Sequence, residues 1–167
     1  SELKEDHPVR QYVVKRKIPN QFFSKLFLCN KFMTFVNKVK PGTFPHTKGE
    51  HPRLIIPFYD VDEKVFAFQG RAFGNEQPKY LTIKTDENKQ KVYGLERVNL
   101  QQQIFIVEGP IDSLFLNNCL AAAGADLTLR VEPNNVTYIF DNEPRNKEII
   151  KRMYDVIEKD YNLVVWP

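Results

Sequence analysis

The chain predicts an α/β fold: a parallel-sheet domain preceded by a small basic α+β subdomain. Three patterns in the 167 residues carry that prediction. Short apolar runs at 104–107, 120–123, 136–140 and 163–166 are apolar on both faces, as strands of a parallel sheet covered on two sides are. They alternate with helix-like stretches, the rhythm of a βαβ sheet. Before residue 100 the strand-like runs instead follow one another across turns, the rhythm of hairpins.

The first half reads in order as follows. Residues 8–40 mix short apolar clusters with Lys and Arg. Pro19 suits the first turn of a helix whose Phe22, Phe23, Leu26 and Phe27 share one face. Phe32, Phe35, Val36 and Val39 predict a second short helix, and aromatics at this spacing form core more often than base-stacking platforms. Pro41, Gly42, Pro45, Gly49 and Pro52 mark a loop. The run 54–59 is a strand in which Pro57 lacks an N–H, so it belongs at an edge or bulge. Asp60 to Glu63 turn the chain into a returning strand at 64–71, and 78–84 is a third strand.

In the second half, Ile104 to Val107 form a strand, 111–118 a short helix, and Leu120 to Ala123 a small-residue strand ended by Gly124. Residues 136–140 and 163–166 are further strands. Between them, 145–160 place Ile149, Ile150, Met153, Val156 and Ile157 on one helical face, with Lys, Arg, Glu and Asp opposite. The domains are therefore expected at 1–100 and 101–167.

Composition narrows the function. Hydrophobic residues make up 42% of the chain, enough for a core. No apolar run reaches a membrane span, and the first six residues do not read as a signal peptide, so no membrane partner is expected. Cys29 and Cys119 lie too far apart for a finger and imply a reducing, cytoplasmic setting. His7, His46 and His51 with Cys29 fit no standard zinc spacing, so no zinc is expected here. The net charge of +3 divides into 18 Lys/Arg against 11 Asp/Glu in residues 1–100, and 6 against 10 in 101–167. A basic first half suits a polyanion, and an acidic second half suits a cation.

In a parallel sheet, ligands bind beyond the carboxyl ends of the strands. Two strands end in acids here: Glu108-Gly109-Pro110-Ile111-Asp112 and, 33 residues on, Asp141-Asn142-Glu143. Glu108, Asp141 and Glu143 are oxygen donors for a hard ion, Mg²⁺ with Mn²⁺ as a substitute, with Asp112 as a further member. Gly109 permits a tight turn and a close approach to substrate. No Gly-x-Gly-x-x-Gly or Gly-Lys-Ser/Thr motif supports a dinucleotide or P-loop site.

The stretch Ile-Phe-Ile-Val-Glu-Gly-Pro-Ile-Asp-Ser-Leu followed by Phe-Asp-Asn-Glu resembles the TOPRIM module of primases, topoisomerases and some nucleases. One departure is Glu143, where that family usually has a second Asp. His51-Pro52-Arg53-Leu54-Ile55-Ile56-Pro57-Phe58, Phe68-Gln69-Gly70-Arg71-Ala72, Pro78-Lys79-Tyr80-Leu81 and Tyr93-Gly94-Leu95 precede it in that order. Together they are similar to the catalytic core of bacterial and phage DNA primases, closest in wording to those of T-even-type phages. The resemblance implies Mg²⁺-dependent synthesis of RNA primers from ribonucleoside triphosphates on a single-stranded DNA template. It implies a bacterial or phage-infected host cytoplasm, and a replicative helicase as partner of the full protein. It also implies a zinc domain before this region and a further acidic strand end after it. Glu108, Asp141 and Glu143 would be catalytic; Arg53, Arg71, Lys79 and Lys84 would meet triphosphate and template, with Gly109 beside them. Rival readings are a TOPRIM nuclease or topoisomerase fragment, and a non-catalytic module that binds DNA or a helicase.

Overall fold

Pro8 opens the first helix. In the computed structural model, which describes residues 4–122 and 132–167, α1 runs Pro8–Lys15. The readings made on residues 1–3 and on Ala123 and Gly124 lie outside the described residues. His7 caps α1, its Nδ1 accepting from the Val9 N–H at 3.3 Å, and Val9, Tyr12 and Val13 are buried. This helix was not legible as such in the sequence. Residues 20–25 form a six-residue 3-10 turn after Pro19 rather than an α-helix, and Phe27 already belongs to strand β1, Phe27–Cys29. Helix α2, Phe32–Val39, stands where its apolar spacing predicts it, with Phe32 and Val36 buried.

Strands β2 (Arg53–Tyr59), β3 (Val65–Ala72) and β4 (Tyr80–Lys84) complete an antiparallel sheet of order β1-β2-β3-β4. β1 pairs with β2 only from Arg53 to Ile55. Pro57 therefore lies past the end of β1, with its ladder partner Phe68 on β3 alone, which satisfies the edge condition its missing N–H imposes. A register shift follows at Phe58/Tyr59. Phe32 and Val36 of α2 pack on Ile55, Phe68 and Ile83. The 41–52 loop is fastened by two hydrogen bonds of 2.9 Å between the Asn37 amide and the Phe44 backbone.

The second sheet is parallel throughout. Its strands β5 (Ile104–Val107), β6 (Cys119–Ala121), β7 (Val136–Tyr138) and β8 (Asn162–Leu163) lie in the order β6-β5-β7-β8. β7 and β8 are shorter than their apolar runs predicted. A four-residue 3-10 turn, Asp112–Phe115, replaces the helix expected at 111–118. Helix α3, Lys147–Glu158, is capped by Asn146, whose side chain accepts from the N–H groups of Glu148 and Ile149. Ile104, Ile106, Leu120 and Val136 form the sheet core; Phe140, Ile149 and Val156 form a second cluster beneath α3, and Tyr138 and Tyr161 pack against both.

Contacts divide the chain into two units: one ending at Tyr59 and resumed at Lys64–Lys89, the other comprising Asp60–Glu63 and Gln90–Pro167. The boundary falls near 90, because Val92 is buried in the second core and Leu95 and Val98 pack against it. Among the described residues no helix is long and apolar enough to cross a membrane.

Candidate functional site

The chain leaves β5 to form β6 on one side and returns to β7 on the other. The carboxyl ends of β5 and β7 therefore flank the point where strand order reverses, the usual place for a ligand in a parallel sheet. Register fixes what meets there. Ile106 pairs with Tyr138, and the Ile139 N–H donates to the Ile106 carbonyl at 2.8 Å. Two residues beyond, Glu108 reaches across, and its Oε2 accepts the Asp141 N–H at 3.2 Å.

The four acids of this end are brought into one electrostatic neighbourhood. The Asp141 carboxyl is pushed above its usual range, first by burial and then by the charges of Glu108, Asp112 and Glu143. Gly109 provides room for this crowding: a methyl there would lie 2.2 Å from Asp112 Oδ2. Glu143 Oε2 accepts from the Asn146 amide at 2.7 Å, and the Glu143 N–H donates to the Asp141 carbonyl at 2.7 Å.

Arg152 brings a cation to the cluster. Arg152 of α3 donates from Nη1 to Glu108 Oε1 at 2.5 Å, while its guanidinium lies 5.0 Å from the centre of the Phe140 ring. Sequence reasoning missed Arg152 by assigning it to the solvent face. Its spacing was the available signal: it follows Ile149 by three positions and precedes Val156 by four, so it shares their stripe. The donor set, all carboxylate oxygen, fits a hard divalent ion, and Asp141 shows the crowding of negative charge that such an ion relieves. Among the described residues, no three His, Cys, Asp or Glu side chains stand close enough to hold an ion as they are.

The basic candidates divide into two pairs. Arg53 is only 2% exposed. Its Nη1 donates to the Gly70 carbonyl at 3.0 Å, its Nε to His51 Nε2 at 3.0 Å, and it lies 5.1 Å from the Phe32 ring centre. Burial lowers its pKa. Lys84 is likewise engaged, donating to the Glu87 carbonyl at 2.6 Å. Arg71 donates from Nη1 to the Ala72 carbonyl at 2.6 Å, and with Lys79 it converges on Tyr80. The Arg71 guanidinium lies 4.3 Å from the Tyr12 ring centre and 5.8 Å from that of Tyr80, and Lys79 Nζ lies 6.0 Å from Tyr80. Tyr80 is 43% exposed. Tyr12 and Tyr80 had no assigned role in the sequence, although Tyr80 stands inside the Pro-Lys-Tyr-Leu motif.

No family model matches the chain. It is 39% identical to the DNA primase of Enterobacteria phage T4, over 98% of this chain and 48% of the relative. The DNA primase of Thermotoga maritima is 28% identical over 68% of this chain and 23% of the relative. The chain thus spans about half, or less, of the curated relatives it matches. Among solved structures, the zinc-binding and RNA polymerase domains of Aquifex aeolicus primase superpose with a TM-score of 0.68 at 20% identity. That match covers 94% of this chain and 49% of the other. The RNA polymerase domain of Mycobacterium tuberculosis primase DnaG in complex with double-stranded DNA gives 0.64 at 15% identity, covering 99% and 68%. A DnaG primase catalytic domain bound to single-stranded DNA gives 0.60 at 17% identity, covering 97% and 66%. These likenesses show the fold: a parallel-sheet α/β arrangement of the primase-core kind.

Proposed function

The chain is a relative of phage and bacterial DNA primases, and from this we propose that it carries the nucleotidyl-transfer site of a primase. The reaction joins ribonucleoside triphosphates into short RNA on a single-stranded DNA template. The observation that carries the reading is the Glu108 carboxylate accepting the Asp141 N–H across the ends of β5 and β7, with Asp112 and Glu143 near enough for their charges to act on Asp141. Asp141 and Glu143, with Glu108 and Asp112 beside them, would hold Mg²⁺. When bound, the ion supplies neutralisation of triphosphate and departing pyrophosphate charge.

The chain's own residues then have separate tasks. The Glu108 carboxylate, accepting the Asp141 N–H, holds the two strand ends in one geometry. Gly109 keeps space beside Asp112. Arg71 grips phosphate through its planar fork, and Lys79 adds a point charge. The exposed face of Tyr80 offers a stacking surface for a template base. Arg53, Lys84 and one end of Arg71 are bonded within the lobe, so phosphate contact falls to Lys79 and the remainder of the Arg71 fork. A replicative helicase as partner belongs to the same reading.

The test is to incubate the chain with single-stranded DNA, labelled ribonucleotides and Mg²⁺. Short oligoribonucleotides are expected. Asp141→Asn should reduce their formation by about 100-fold or more, the scale for loss of one electrostatic stabiliser. Undiminished synthesis by that variant would remove Asp141 from the site. Nicked DNA would indicate a nuclease or topoisomerase, and a gel shift without product a binding module.

A further inference from the structure

Glu108 has both carboxylate oxygens in use. Oε2 accepts the Asp141 N–H and Oε1 the Arg152 guanidinium. Arg152 is held there by sequence. It lies on the stripe of Ile149 and Val156, which pack on Phe140 beneath it, and the Phe140 ring supports its guanidinium face. Its side chain is nevertheless 29% exposed, so it can swing into solvent without unpacking α3.

The geometry points to Arg152 as an internal counter-ion that competes with a divalent cation for Glu108. The inference rests on the metal reading above and deepens it. Without the ion, the guanidinium supplies positive charge to Glu108, whose other carboxylate oxygen holds the Asp141 N–H. With the ion, the +2 charge takes over that task and Arg152 lets go. Arg152 is thereby a positioning residue: it sets the metal concentration at which Glu108 becomes a ligand. It also keeps the strand ends of β5 and β7 together until then.

Mn²⁺ binding to the 167-residue chain, read by the electron paramagnetic resonance of free Mn²⁺, tests this directly. Arg152→Gln removes a charge-assisted hydrogen bond, so Mn²⁺ should bind about tenfold more tightly than to the unaltered chain. The metal-free melting temperature should fall at the same time. Arg152→Lys keeps the charge without the fork and should bind with an intermediate constant, which preserves the test where Arg152→Gln folds poorly. In a Glu108→Gln background, the same change at 152 should leave the Mn²⁺ constant unaltered. An unchanged or weaker constant in Arg152→Gln, with the unaltered chain binding Mn²⁺ normally, overturns the counter-ion and leaves the metal site standing. A loss of melting temperature alone has the same meaning, because a merely structural arginine does only that. Failure of every form to bind Mn²⁺ overturns both.

Discussion

Gly70 is the position where one added methyl should do most harm. It lies in β3, paired with Ile55 on one side and Leu81 on the other, and its carbonyl accepts from Arg53. Its backbone is not in the left-handed region, which the described glycines Gly42, Gly49 and Gly94 occupy, so the demand for glycine is one of space. A Cβ at 70 would stand 2.3 Å from Phe32 Cε2 and 2.5 Å from Cζ. Carbon atoms rest about 3.5–4.0 Å apart, so the ring must retreat by more than about 1 Å. It has nowhere to go, since Phe32 is 2% exposed among Val36, Ile55, Phe68 and Ile83, with the Arg53 guanidinium on its face. Overpacking of this kind costs about 1–3 kcal/mol, and the rigid surroundings place Gly70→Ala toward the upper end. For a chain of this length that is a fall of about 4–12 °C in Tm, or a lower urea midpoint at unchanged slope. Phe32→Leu opens the space the methyl needs. The double variant should therefore be about as stable as Phe32→Leu alone, a non-additivity of more than about 1 kcal/mol. An unchanged midpoint for Gly70→Ala, or strict additivity in the pair, would refute the packing argument.

Three further outcomes are expected. Asp141→Asn should raise stability at neutral pH while lowering synthesis. The native state holds the Asp141 proton more tightly than the unfolded chain, so ionisation costs stability as pH rises through the native value. The gap between variant and unaltered chain should vanish below the ordinary aspartate range and open as the pH is raised; a constant gap in pH-dependent melts would contradict this. Gly109→Ala places its methyl 2.2 Å from Asp112 Oδ2, the tip of an exposed side chain, and should cost about 1 kcal/mol, yet move the Asp141 titration toward its ordinary value in carbon NMR. An unmoved titration would separate Asp112 from Asp141. Lys79→Ala should reduce by about 1 the slope of log affinity for single-stranded DNA against log salt, and an equal slope would argue against a phosphate contact.

The parts of the fold legible in the sequence are those in which one local rule dominates. Helix α2 and α3 follow from apolar spacing, the β2–β3 hairpin from its turn, and β5 from an unbroken apolar run bounded by acids. Helix α1 was hidden because its signal is a His cap and a Pro start, with only three buried residues in eight. The 20–25 and 112–115 segments tightened into 3-10 turns because each is too short to sustain an α-helix away from its neighbours. Arg53 illustrates a different failure. A lone arginine before an apolar run reads as an exposed phosphate ligand, and only the register of β2 against β3 shows that Gly70 offers it a carbonyl. The acids were legible because strand ends are local. What holds them was not, because Asp141 and Glu108 are 33 positions apart, and Arg152 and Glu108 are 44.

That last gap changes which element organises the site. Sequence patterns direct attention to the strand ends, yet α3 holds the acids at two points. Asn146, its cap, donates to Glu143; Arg152, six positions on, donates to Glu108. Six residues of helix advance roughly 9 Å, a span suited to fixing two acids on neighbouring strand ends rather than one. Glu143 then acquires a reason for its length. The Asn146 amide meets it at 2.7 Å, and an Asp there would lack one methylene of that reach unless the backbone moved. A glutamate at 143 is therefore matched to the cap of α3. On this view Glu143→Asp should loosen the start of α3, read as a lower melting temperature. α3 is packed through Ile149 and Val156 on Phe140, which lies between the acids in sequence and beneath Arg152 in space. The core thus sets the helix, and the helix sets the charges.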